Sequence, residues 1–420
     1  LTENRDLAKE FIPFASPYDF LFVGGVCTTW RDIWLDIRPA RTGVRSAVQS
    51  TSRLAWAREC DCPWNEKTCA KAAEGDSQEG FLGALKWARA NGCPWDGTVC
   101  SSAARAGNLD ILKWARCNGC LWDARTCASA ARQGHLEILK WARANDCPWD
   151  GATCSSAAIG GYLDILKWAR DNGARLDGRT CASAAIGGHL DVLLWTRAIG
   201  CKWDATTCAR AAEGGHLEVL KLLRANDCPW DERTCASAAA GGHLEVLAWA
   251  RASDCAWGSS ICASAARGGH LDVLQWARAN GCPWDEATIS QAAEGGHLEV
   301  LKWARANDCP WDTWTCYIAA KKGNLDILRW LRANGCPWDA ETSSSAARGG
   351  HLELLKWVRA EGCPWDENTC SSSAFGGHLD VLKWARANGC SWDKGTCYAA
   401  ARSGHRKVLE WAVANGCPAD

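Results

Sequence analysis

Histidine and cysteine are the side chains best equipped for acid–base, nucleophilic or metal chemistry, and in this chain both are placed by count. All nine histidines, His135, His189, His216, His243, His270, His297, His351, His378 and His405, differ by 27 residues or multiples of 27. Each follows a glycine, and all but the last precede Leu-(Glu/Asp)-(Val/Ile/Leu)-Leu; Asn108, Tyr162 and Asn324 fill the skipped slots. Zinc needs nitrogen ligands at about 2 Å, whereas equivalent residues on stacked helices sit about 8 to 10 Å apart. One structural role, a hydrogen bond in the turn between helices, is therefore expected of the whole column. No catalytic residue and no metal ligand is assigned to it.

The 27 cysteines are equally regular. Thirteen lie two residues before a repeated loop tryptophan (Cys93, Cys120, Cys147 and onward), eleven lie five residues after it (Cys100, Cys127, Cys154 and onward), and Cys27, Cys60 and Cys117 stand outside both columns. Within a column, spacing of about 8 to 10 Å exceeds disulfide reach. Cysteine used in this way is a small buried apolar residue, and reduced thiols in the cytosol or nucleus are expected. Cys117 and Cys120 form a Cys-x-x-Cys pair without the second pair of a zinc site. No Gly-x-x-x-x-Gly-Lys-(Ser/Thr) loop is present, so no nucleotide cofactor, and no other cofactor, is expected.

A fixed period of this length marks stacked modules. Trp64, Trp95, Trp122, Trp149, Trp203, Trp230, Trp257, Trp284, Trp311, Trp338, Trp365 and Trp392 keep the same register, with Leu176 standing in once and Asp76 to Glu79 inserted before Trp95. A chain of 420 residues is long for one compact core, but a repeat array grows without that limit. The 47 basic and 48 acidic residues are interleaved, so nothing forms the basic stripe that suits nucleic acid. The longest strongly apolar run, residues 20–26, is too short to span a bilayer, and the polar residues 1–5 do not read as a signal peptide. A soluble, intracellular monomer is expected, with neither nucleic acid nor membrane as partner.

One copy, residues 230–254, shows how the modules form. Asp231 is placed to cap a first helix over about Glu232 to Ala240, after Pro229 keeps the chain extended. That helix is lined with Ala, Ser and Cys, which lets a neighbour approach closely. Gly241 and Gly242 end it. The second helix sets Leu244, Val246, Leu247 and Trp249 on an apolar face, with Glu245 and Arg251 toward solvent. Glu218 with Lys221 and Glu299 with Lys302 are outer-face pairs at i,i+3. Both tryptophan columns, the loop one and the second-helix one (Trp87, Trp114, Trp141 and onward), are expected in the core. Gly-His with Trp-Asp also occurs in WD propellers, but those repeats run about 40 to 45 residues of strand.

These residues resemble the ankyrin repeat. The resemblance rests on Ala-Ala-x-Gly-Gly-His-Leu-Glu-Val-Leu-Lys, on Asn-Gly-Cys where the family has Gly-Ala, and on the threonine opening the first helix. It covers about residues 50–420, as thirteen helix pairs after one unpaired second helix near Leu54 and Trp56. The family's Thr-Pro-Leu-His opening is here Thr-Cys-Ala-Ser, and the repeat is shorter than the usual length of about 33. The resemblance implies an all-α helical-hairpin solenoid with abbreviated β-hairpin connectors, and a non-enzymatic scaffold that binds a protein partner on a concave face lined by first helices.

Residues 1–49 are not a repeat. Pro17, Asp19 and Phe20, then Val26, Cys27, Trp30 and Arg31, match in spacing the second half of the F-box, which docks on the adaptor of cullin-RING ubiquitin ligases. That resemblance implies a substrate receptor with a ubiquitin-ligase adaptor as partner. The alternative is a helical cap burying Phe11, Phe14, Phe20, Phe22 and Trp30 over the array's open end. At the other end, Arg406 in the Leu slot and Ala419 in the Trp slot read as a polar cap.

Slots that differ between copies are free for a partner. Variation gathers in the first helix, two, three, six, seven and ten residues after the loop tryptophan. Ile159, Ile186, Arg210, Gln291, Trp314, Tyr317, Ile318, Phe375 and Tyr398 stand out there, and aromatic residues and arginine are common interface anchors.

Overall fold

The computed structural model describes residues 48, 51–59, 64–75 and 79–418. One helix, Thr51–Glu59, precedes thirteen helix pairs, and no strand occurs among the described residues. Leu54 of that first helix is buried. Between pairs the chain runs through short links that are neither helix nor strand, such as residues 147–150. Packing divides the chain into two units, Leu1–Lys202 and Trp203–Asp420. The first holds the single helix and five pairs, the second eight pairs.

The local physics is the same in each copy. Asp231 stands before Glu232–Ala240, and its carboxylate accepts from the Arg233 N–H at 3.0 Å. This satisfies one of the helix's orphan donors. Gly242, at φ +78°, then turns the chain into Leu244–Ala252, whose Val246, Leu247 and Ala250 are buried. After the second helix a residue in the left-handed region redirects the chain, glycine at Gly119 and Gly281 but aspartate at Asp146, Asp227, Asp254 and Asp308.

Within each unit, first helices pack on first helices: Ala124–Arg132 on Gly151–Gly160, and Ser259–Gly268 on Glu286–Gly295. Small buried residues such as Thr126, Cys127, Ala130 and Ala131 permit this. Each first helix also packs on its own second helix, around fully buried leucines such as Leu139 and Leu247. Burying one such side chain stabilises by about 1.5 to 3 kcal/mol. On the outer face Lys221 reaches Glu218, and Lys302 reaches Glu299, at 2.8 Å in each pair. Being exposed, each pair adds only about a few tenths of a kcal/mol. Arg406 begins the last helix, Arg406–Ala414, exposed and paired with Glu410 at 2.7 Å; Ala419 lies outside the described residues.

The tryptophan columns depart from expectation. Trp203 is nearly buried at 6 % exposure, but the other described loop tryptophans and the second-helix tryptophans are half-buried. They pack on each other: Trp95 meets Trp114 edge-on, with ring centroids 5.7 Å apart. The Arg89 guanidinium covers Trp95 at 4.3 Å and donates to the Cys93 carbonyl at 2.8 Å. The arginines placed toward solvent, Arg251 over Trp257 among them, therefore roof an aromatic ladder. An interior built from Ala, Cys and Leu has no room for two indoles per repeat, so the rings settle at its edge, where a guanidinium can stay wet while its plane stacks.

Candidate functional site

Seven of the nine histidines make a structural bond that crosses from one repeat to the one before. His243 Nε2 lies 3.0 Å from the Glu213 carbonyl, thirty residues back. His270 does the same to Ala240 at 3.0 Å, His297 to Arg267 at 3.0 Å, His351 to Lys321 at 3.1 Å and His378 to Arg348 at 3.1 Å. In the first unit His135 reaches Arg105 and His189 reaches Ile159. A carbonyl only accepts, so Nε2 carries the proton. Asn324 supplies an amide donor instead, to Ala293 at 3.0 Å. Each ring fills a slot that only glycine leaves open: a Cβ at Gly215 would stand 2.5 Å from His243, and one at Gly241 2.6 Å. The hydrogen bond expected inside the turn is thus a clamp between repeats.

The cysteine columns meet each other, a pairing hidden when each column is considered separately. Cys100 and Cys120, twenty residues apart, interact through their side chains, and Cys120 donates to the Asp96 carbonyl at 3.2 Å. Where Ser343 replaces the first cysteine, its hydroxyl lies 3.4 Å from Cys363 Sγ. The neighbouring Cys120 sulfur, and then burial, push the Cys100 thiol well above its ordinary range, while Cys100 draws Cys120 down. Burial pushes Cys154 up to about 11 and Cys309 up to about 12. Cys100, Cys154 and Cys309 thus stay protonated at neutral pH and serve packing. Among the described residues no group of three or more His, Cys, Asp or Glu could hold a metal.

What remains is the outward face of the first helices. Residues three, six or seven, and ten after the loop tryptophan fall on one helical stripe. Trp314 is 52 % exposed, Phe375 41 % and Tyr398 65 %. Trp314 stacks on Tyr317 with centroids 4.3 Å apart and planes 12° from parallel. Arg210 is exposed and paired with Glu213 at 2.7 Å, while Gln291, Ile159 and Ile186 are half-buried. Ile318 shares the seven-position slot with exposed Arg210 but is only 8 % exposed, so it belongs to the packing and not to a contact surface. Ile159 and Ile186 lie in the first unit and the others in the second. Pro17, Asp19, Phe20, Val26, Cys27, Trp30 and Arg31 lie outside the described residues. Between Glu232–Ala240 and Ser259–Gly268 runs an open groove of about 660 Å³, lined by Glu232, Arg233, Ser237, Ser260 and Ser264 among others. These are ordinary repeat slots, two of them the same serine slot.

Residues 289–332 match the family model for ankyrin repeats in many copies. The match runs from inside one first helix, Glu286–Gly295, to the end of the second helix of the next pair, Leu325–Ala333. Residues 289–332 carry ankyrin repeats. The same helix pair, glycine turn and histidine slot recur on both sides of the matched segment. Among solved structures, the human ASB11 ankyrin repeat domain is similar at 19 % identity and a TM-score of 0.31, over 37 % of this chain and 84 % of that one. No curated protein matches the sequence. Ankyrin repeats are protein–protein interaction modules, and no helix among the described residues is long and apolar enough to cross a membrane.

Three residues of the exposed stripe escape a search for unusual residue types: Lys321, Arg348 and Arg402. Each is ordinary alone. Read down the ten-position slot, however, the second unit gives Glu213, Ala240, Arg267, Glu294, Lys321, Arg348, Phe375 and Arg402, a change of character toward its end.

Proposed function

We propose that this chain is a non-enzymatic scaffold that holds a protein partner on the outward face of its first helices. The observation that carries this reading is the exposure of Trp314, Phe375 and Tyr398 in slots where most other copies place a small, polar or charged residue. A large aromatic ring left in water costs apolar hydration that covering it would recover. The histidine and cysteine columns, committed to clamping and packing, leave the variable slots as the source of specificity. The test is site-specific photo-crosslinking in cells. A photoreactive residue at position 314, 375 or 398 is expected to give discrete protein adducts, and one at Lys221 or Lys302 on the second-helix face is not. Adducts only from the second-helix sites, or from none of the five, would overturn the reading.

A second reading rests on the spacing of Pro17, Asp19, Phe20, Val26, Cys27, Trp30 and Arg31. It makes residues 1–49 an F-box-like adaptor contact and residues 50–420 the substrate-holding array of a ubiquitin ligase.

A further inference from the structure

We infer that the partner segment held at the end of the second unit is an extended acidic peptide with apolar residues between its carboxylates, lying across the first helices from Thr313–Lys322 to Lys394–Arg402. This deepens the scaffold reading above and rests on it. The surface has two ingredients. Aromatic rings are presented by Trp314, Tyr317, Phe375 and Tyr398 on three of four successive first helices. Three cations, Lys321, Arg348 and Arg402, share one repeat slot, which Phe375 fills in the copy between the last two.

Those cations are not spent on carboxylates. Arg267 and Lys322 bracket Glu294 at 3.8 and 3.2 Å, but Lys321, Arg348 and Arg402 are exposed and have no ion pair among the described residues. Lys321 and Arg348 face rings instead: Lys321 Nζ is 5.9 Å from the Tyr317 centroid, and the Arg348 guanidinium lies 4.4 Å over Phe375. A cation so placed keeps its charge for an incoming anion while its partner ring offers an apolar shelf. The helix dipole favours a cation in the last turn, yet Glu74, Glu213 and Glu294 occupy the same slot elsewhere. The dipole alone does not set the residue.

Charge also selects among polyanions. Glu341 and Glu367 stand exposed in the first turns of two of these helices, beside the N-cap carboxylates of Asp312, Asp339, Asp366 and Asp393 and against one cation, Lys394, so the face has an acidic edge opposite its basic one. A nucleic acid strand, carrying a phosphate at every residue, would meet that edge. A peptide can confine its carboxylates to the basic row and place apolar side chains on the rings. From Lys321 to Arg402 is three repeat steps, about 24 to 30 Å at about 8 to 10 Å per stacked helix, or about seven to nine residues of extended chain.

The test uses the full chain and three fluorescein-labelled probes of about ten residues: alternating Glu and Leu, the same peptide with Gln for Glu, and a single-stranded oligonucleotide of equal charge. The Glu peptide is expected to bind most tightly, on the order of tenfold better than the Gln peptide, and to weaken with salt. Reversing charge with Lys321→Glu and Arg348→Glu should remove that advantage, and Trp314→Ala should weaken both peptides on the order of tenfold. Circular dichroism of each variant checks that it is folded, and all three substitutions are at exposed sites. Equal binding of the two peptides, preferred binding of the oligonucleotide, or no binding of any probe would overturn the inference. The crosslinking test is scored independently: adducts at 314, 375 or 398 with a failed peptide test leave the scaffold standing and only its partner chemistry wrong.

Discussion

At the scale of the residue, His243 shows how a reactive side chain becomes a fastener. Its ring lies between Gly215 and Gly241, and its Nε2–H is given to the Glu213 carbonyl. Replacing it with leucine leaves that carbonyl unsatisfied in a closed slot, at a cost of about 1 to 3 kcal/mol. His243→Asn should cost clearly less, because Asn324 already makes the equivalent bond. Denaturant titration of the two variants measures the difference, and equal losses would show that the hydrogen bond is not what the slot requires. The sulfur pairs teach a related lesson. Spacing within a column correctly argues against disulfides along it, but Cys100 and Cys120 meet because twenty residues carry the chain through a second helix and back. That return is set by how the helices pack, not by the count.

At the scale of the element, nearly every helix boundary has a local cause that can be read in order: an aspartate cap, a glycine turn, an extended Cys-Pro-Trp-Asp link. The turn after the second helix is a sharper case, because Asp146, Asp227, Asp254 and Asp308 share the left-handed conformation that glycine takes in other copies. The left-handed region costs an L-residue about 1 to 2 kcal/mol, and glycine gives back about half of that in chain entropy. Asp146→Gly should therefore raise stability by about 0.5 to 1 kcal/mol, and Gly281→Asp should lower it by a similar amount. Thermal melts of both variants check the sign; a loss from Asp146→Gly would mean the aspartate side chain compensates the strain. The tryptophans were less legible. Their helical spacing marks an apolar face but not its depth, and only the packing shows that Trp95 and Trp114 end at the rim, roofed by Arg89.

At the scale of the whole molecule, the near balance of 47 basic and 48 acidic residues conceals local order, the unpaired cations at the end of the second unit being one example. The F-box-like spacing makes a prediction at this scale as well. Adaptor and cullin subunits should copurify with the full chain and be lost from residues 50–420, while proteins crosslinked at Trp314 are retained by both. Absence of adaptor and cullin from both preparations would leave a scaffold without a ligase role. The order of residues was enough for the period, the helix pairs, their caps and the identity of every slot, because each depends on interactions within a few residues. Stacking decided which slots touch: histidine with a carbonyl thirty residues earlier, cysteine with cysteine, arginine over tryptophan, and Ile318 inside while Trp314 stays out. Those contacts depend on the angle and depth at which one helix pair sits on the next, and these are set by all the side chains at the joint together.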